Sequence, residues 1–251
     1  MKLRRSFSSQ QLIFALGLTL SFATMAAAQD KLTTKDNRTQ DGKIIGVVGS
    51  SVQFQVGAGT IGVPLATVHS VLMAVPSEFT AGKAAYDAGD YAKALGPIKT
   101  VAEKFRGLPT PWAQQASSLL GDIYVAQNKL AEAEKAYLDF QRSYGAAGSV
   151  QSDVGLARIA LSKKNYDQAK EKLEPITTKA LAEKQLNYAL AGTYSQAFYL
   201  LAQVEEAQGD HSAALQNYLR TVTLFHQDSA SAAGAKEKAD ALRKAHSIAV
   251  P

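Results

Sequence analysis

The chain has 251 residues, a formal charge of +5 and no cysteine. That length holds one large domain or two modest ones. The missing thiols exclude disulfides, thiolate chemistry, Cys-ligated zinc and lipid attachment at a cysteine behind a leader.

The N-terminus carries the three parts of a secretory signal. Lys2, Arg4 and Arg5 form the charged region, Leu12 to Phe22 the apolar stretch, and Ala26-Ala27-Ala28 an A-x-A cleavage site. The apolar run is short and interrupted by Thr19 and Ser21, with Thr24 just beyond, which favours a leader at 1–28 over a retained membrane helix. Cleavage near Gln29 would remove three cations and no acids, lowering the formal charge from +5 to +2. So small an excess leaves no nucleic-acid footprint. No later segment is apolar for long enough to span a bilayer. The expectation is a periplasmic or secreted protein, not lipidated and with no membrane span after cleavage.

Residues 29–75 are rich in Val, Ile and Gly. Val52, Phe54 and Val56 alternate with Gln53 and Gln55, as in a half-buried strand. Lys43 to Val48, Thr60 to Val63 and Val68 to Met73 read as further strands, with turns at Gly49-Ser50 and Gly57-Ala58-Gly59. Four or five short strands in so few residues suggest a small all-β module. The runs Asp41 to Gly46 and Ile61 to Leu65 resemble an SH3-like or Sm-like barrel. A module this small is marginal alone, so it should lean on the rest of the chain or on another copy of itself. Gly57, Gly59 and Gly62 match G-x-G-x-x-G, but Val63-Pro64-Leu65 opens no helix to meet a pyrophosphate, so this is a glycine-rich hairpin. Asn37-Arg38-Thr39 matches a glycosylation pattern too common to use.

Residues 76–251 change to helical periodicity. The clearest unit runs from Gln115 to Tyr144. Ala116, Leu119, Leu120, Ile123 and Tyr124 share one helix face, Asn128-Lys129 interrupts, and Leu130, Ala133, Tyr137, Phe140 and Tyr144 resume. Two amphipathic helices joined by so short a turn lie antiparallel. Leu120-Gly121, Tyr124, Ala133 and Tyr137 resemble the skeleton of a tetratricopeptide repeat. Gly89-Asp90-Tyr91 with Ala94-Leu95, Leu156-Ala157 with Ala169, and Leu201-Ala202 with Ala214 and Tyr218 align to it. The alanines Ala94, Ala133, Ala169 and Ala214 are spaced more widely than the family's roughly 34 residues. Extra residues fall at Gly107 to Pro111, Gly145 to Ser149 and Thr177 to Asn187. Such loosened repeats are similar to those of periplasmic scaffolds, among them the Tol-Pal-associated coordinator and the outer-membrane-assembly lipoproteins. The latter carry an anchoring cysteine that this chain lacks.

The expected fold is therefore mainly α, a tetratricopeptide-like solenoid of about four helix pairs, closed by a helix over Ala230 to His246 and preceded by the β-module. Pro97 and Pro175 should bend or shorten their helices, with Lys179 to Leu190 a separate helical piece.

No catalytic constellation emerges. His69, His211, His226 and His246 are scattered, the Glu205-Glu206 pair diverges by about 100° on a helix, and neither a P-loop nor a nucleophile elbow is present. No metal or other cofactor is expected. Lys163-Lys164, Lys170 and Lys172 read as a solvated basic face.

In tetratricopeptide arrays the first helix of each pair lines the binding groove. The resemblance thus implies partner contacts at Phe79, Lys83, Tyr86, Asp122, Val125, Arg158, Leu161, Tyr199, Gln203 and Glu206. The implied function is a non-catalytic exported adaptor that holds a protein or peptide partner at the bacterial cell envelope, with no nucleic acid. A second reading makes the β-module the functional part, binding a polysaccharide or self-associating, with the helices as spacer.

Overall fold

The computed structural model describes residues 29–246 apart from Leu186. The expected leader at 1–28 lies outside the described residues.

Five antiparallel strands come first: β1 (Asp30–Thr34), β2 (Thr39–Val48), β3 (Ser51–Val56), β4 (Gly59–Pro64) and β5 (Val68–Leu72). Their order in the sheet is β4-β3-β2-β1-β5. Both expected turns form, with Gly49 and Gly57 at φ 58° and 57°, where a side chain would strain. Alternation places Ile44, Val52 and Phe54 on the buried face. The sheet bends within β2. Thr39 to Gly42 pair with β1 and Lys43 to Val48 with β3, with a register shift between Ile44 and Gly46.

The barrel suggested by the resemblance does not close. β4 pairs only with β3 and β5 only with β1, leaving both as edges. Pro64 cannot donate to a further ladder, and a single 3-10 turn, Leu65–Thr67, carries the chain from one edge to the other. The glycine triplet lies in the β3–β4 hairpin, with no helix between it and Ser77 apart from that turn.

Nine α-helices follow among the described residues, as four antiparallel pairs and a closing helix. The pairs are α1 (Ser77–Asp87) with α2 (Tyr91–Lys104), α3 (Pro111–Ala126) with α4 (Leu130–Tyr144), α5 (Ala146–Ser162) with α6 (Tyr166–Ala182), and α7 (Ala191–Gln208) with α8 (His211–Thr223). The closing helix is α9 (Ser229–His246).

Two expectations need correction. Neither proline shortens its helix, since α2 runs through Pro97 and α6 through Pro175. The carbonyls orphaned by those prolines belong to Lys93 and Glu171, both exposed residues, where solvent can replace the lost helix bond. Pro97 also packs where Gly82 of α1 leaves room. No separate helix spans Lys179 to Leu190, because α6 continues to Ala182 and an irregular link follows. Gly145 alone joins α4 to α5, at φ 55°, and the extra residues from Ala146 to Ser149 lengthen the start of α5.

The repeat alanines Ala94, Ala133, Ala169 and Ala214 are fully buried. Five residues before each stands a left-handed residue that turns the chain: Gly89, Asn128, Lys164 and Gly209. Asp90 and Asp210 then cap α2 and α8, each accepting from a backbone amide at 3.0 Å.

Each helix packs on the next, and each first helix also touches the first helix of the following pair: α1 on α3, α3 on α5, α5 on α7, and α7 on α9. That asymmetry puts α1, α3, α5 and α7 on the inner side of the stack. One hydrophobic core joins Leu32, Ile44, Phe54 and Val68 of the sheet to Phe79, Ile98, Phe105, Leu108 and Trp112 of the helices.

A candidate protein-binding groove

A groove of about 700 Å³ lies along the inner side of the stack. Tyr86, Leu119, Pro111 and Leu190 give it apolar surface, while Gln115, Ser118, Gln151, Thr193 and Gln196 give it neutral polar groups. Its charged groups are Asp122, Arg158 and Asp228.

Those charges are tied together. Tyr137 donates its hydroxyl to Asp122 Oδ1 at 2.6 Å, and Arg158 Nη1 donates to the same oxygen at 2.9 Å. Arg158 Nη2 reaches Gln196 Oε1 at 3.2 Å, and Gln196 Nε2 donates to Asp228 Oδ2 at 3.0 Å. Asp228 Oδ1 accepts from the Ser231 amide at 2.8 Å, which caps α9. One chain of hydrogen bonds thus crosses the inner side from α3 to the closing helix.

Its electrostatics follow from burial and partners. Burial, then the Asp122 charge, pushes the phenols of Tyr86 and Tyr137 well above their ordinary range. Burial alone would raise Asp228, but the Gln196 amide and the Ser231 backbone outweigh it and hold the carboxyl below its usual value. With Asp122 and Arg158 mutually neutralised, the formal charge left among these lining residues is that of Asp228, whose two oxygens are already engaged by Gln196 and Ser231.

The ten residues implied by the resemblance divide. Tyr86, Asp122 and Arg158 line the groove. Phe79 does not: it is buried against Trp112, ring centroids 6.5 Å apart. Lys83 pairs with Asp87 at 2.5 Å on its own helix. Val125 and Leu161 pack against buried clusters between repeats. Tyr199 packs against Tyr218 and closely over Gly234 of α9. Glu206 accepts from Tyr218 and pairs with Lys238. Gln203 is half-buried on α7, outside the residues that line the groove. In the fourth pair α9 covers positions that the repeat pattern would leave open.

Sequence reasoning missed the glutamines. Gln115, Gln151 and Gln196 stand seven residues before Asp122, Arg158 and Gln203, and so hold one equivalent place in α3, α5 and α7. The same alignment that gave Asp122 and Arg158 would have found them two turns earlier. Asp228 precedes α9 and belongs to no repeat, so repetition carried no signal for it.

Elsewhere the side chains settle into structural roles. Lys163 pairs with Glu134 at 3.0 Å, Lys170 with Glu174 at 3.6 Å and Lys172 with Asp153 at 3.4 Å, so the basic face is largely neutralised. Glu205 turns inward to Asn217 at 2.8 Å, away from Glu206. The histidines are less scattered than their spacing implied, since His211 and His246 stack with centroids 3.8 Å apart where α9 folds back on α8. Parallel rings offer faces and not converging lone pairs, and no group of three metal ligands occurs among the described residues.

The architecture defines a solenoid of stacked helix pairs with a polar inner groove. The tetratricopeptide-repeat family profile matches residues 79–148 and 120–174, which run from α1 into α6, so this part of the chain carries tetratricopeptide repeats. Among solved structures, one described as a "MamA RS-1 ArsTM double mutant" is 15% identical, with a TM-score of 0.43 over 70% of this chain and 100% of that one. Likeness at that level transfers nothing about partners. No curated protein matches the chain.

Proposed function

We propose that the chain is a non-catalytic exported adaptor that holds an extended segment of a partner protein at the cell envelope. Tetratricopeptide repeats generally mediate protein–protein interactions, and their fold typically serves without catalysis. The signal-like N-terminus supports export, and the loosened repeats support kinship with periplasmic coordinators.

The observation that carries this reading is the glutamine row. A side-chain amide both donates and accepts, as a peptide bond does. The side-chain amides of Gln115 and Gln151 make no hydrogen bond among the described residues, so they are available to a ligand. Packed helices lie about 8–10 Å apart and an extended chain rises about 3.3 Å per residue, so one glutamine meets roughly every third residue. Main-chain recognition in a nearly neutral groove should be tolerant of sequence and insensitive to salt.

The test is affinity capture from an envelope extract with the full-length chain, in parallel with a Gln115→Ala/Gln151→Ala variant. Partners captured by the parent and lost by the variant at unchanged helical content support the groove. An identical partner set from both refutes it.

A further inference from the structure

The charge pattern of the β-module points to a second contact surface, independent of the groove. No Asp, Glu, Lys or Arg occurs between Lys43 and Glu78. That run contains β4, an edge strand whose outer side pairs with nothing among the described residues. Edge strands are ordinarily protected by charged side chains or bulges. β5, the other edge, has a register shift in its ladder; β4 has none. A recess of about 490 Å³ beside β4, with Ile61 to Pro64 on one wall and Leu32, Lys35 and the ion-paired Asp36 and Arg38 on the other, leaves room for another backbone to approach.

The register shows which groups are offered. Leu65 N–H donates to the Ser50 carbonyl at 2.8 Å, and a two-residue turn joins β3 to β4. Counting down the hairpin by twos, Val63, Ile61 and Gly59 bond inward to β3, which leaves the amides of Thr60 and Gly62 facing out. Pro64 falls on the same outer side, where its missing N–H costs no ladder bond and ends the edge.

We propose that β4 pairs antiparallel with β4 of a second copy of this chain, centred on Ile61. Thr60 and Gly62 then exchange main-chain hydrogen bonds with the second copy's Gly62 and Thr60, and the two Ile61 side chains, each 45% exposed in the single chain, meet across the axis. The charge-free run selects the occupant. A two-fold contact sets residue i against j and j against i, so a strand bearing charge of one sign would meet the same sign on its copy, and this strand bears none.

Sedimentation equilibrium of the full-length chain, combined with amide hydrogen exchange, tests the pairing. The expected result is a concentration-dependent dimer in which exchange at Thr60 and Gly62 slows as the dimer forms. Ile61→Lys should raise the dissociation constant about tenfold with helical content unchanged. Gly62→Pro removes an outward amide without adding charge and should weaken the dimer likewise. A chain that stays monomeric overturns the proposal, as does a dimer in which Thr60 and Gly62 exchange at a concentration-independent rate. Exchange is measured on the parent chain, so it decides the matter even if a variant folds poorly.

Discussion

Arg158 donates to Asp122 across 2.9 Å, and the two residues occupy the same place in successive first helices, thirty-six positions apart. A groove position in one repeat is therefore neutralised by its counterpart in the next. The pair is only partly screened, with 27% and 22% of the side chains exposed. Asp122→Ala leaves the Arg158 charge and the Tyr137 hydroxyl without their shared acceptor, and should cost about 1–3 kcal/mol. Asp122→Asn keeps an acceptor oxygen and should cost less. Urea denaturation of the two variants gives the order, and equal losses would mean that the charge alone matters.

Tyr137 is held from both sides. Its ring lies over Gly121 of α3 and Gly155 of α5, and a methyl group on either glycine would overlap it. The side chain is 1% exposed, so it has nowhere to move. Gly155→Ala should destabilise by about 1–3 kcal/mol through overpacking. The double variant Gly155→Ala/Tyr137→Leu should lose less than the sum of its parts, because the smaller side chain vacates the clash. Strict additivity in a thermal double-mutant cycle would refute the wedge.

How much could be read beforehand depended on whether a residue repeats. Four alanines predicted the helix pairs and all four are fully buried, because a close helix crossing admits little else. Gly89, Gly209 and Asn128 are residue types that tolerate the left-handed turns they make. Lys164 takes the same conformation at φ 59° with no chemical hint, held there by the repeat around it. β1 was invisible because Asp30 to Thr34 has a single apolar residue, Leu32, and its strand character comes from pairing on both sides. The helix through Pro175 and the cap at Asp228 depend on exposure and tertiary packing, which local patterns do not encode. The Lys164 strain is measurable. Lys164→Gly should raise stability by about 0.5–1 kcal/mol despite glycine's greater unfolded-state entropy, whereas the same change at a right-handed position would lower it. Chemical denaturation of the variant beside its parent gives the sign.

Two carboxyls, the half-buried Asp228 and the buried Glu205, should respond to pH in opposite senses. Asp228 has a lower pKa folded than unfolded, so its contribution is full above the unfolded value of about 3.9 and fades as pH falls through the folded one. Glu205 is pushed up by burial, more than its bond from Asn217 lowers it. Its contribution is full below the unfolded value of about 4.3 and is lost as pH rises through the folded one. At neutral pH, Asp228→Asn should be less stable than the parent and Glu205→Gln more stable. Both differences should shrink near pH ~3. Denaturant titrations at the two pH values check the signs.

The β-module and the first repeats stabilise one another through a common core. Leu65 lies against Gly107 beyond α2, Gly46 of β2 against Lys104, and the buried side chains run without a break from Phe54 to Trp112. A chain cut to residues 76–251 would expose the helical side of that core. It should melt at a lower temperature than the whole, and its first two repeats should lose hydrogen-exchange protection before α7 and α8 do. Leu65→Ala, at a half-buried site, should lower the stability of the whole chain by about 1–2 kcal/mol without splitting its transition. Two separate calorimetric transitions, or a fragment as stable as its parent, would make the parts independent. With the core shared, partner loss from such a fragment reflects a loosened first repeat as readily as a missing β-module, so point substitutions in the intact chain are the sharper probe of the groove.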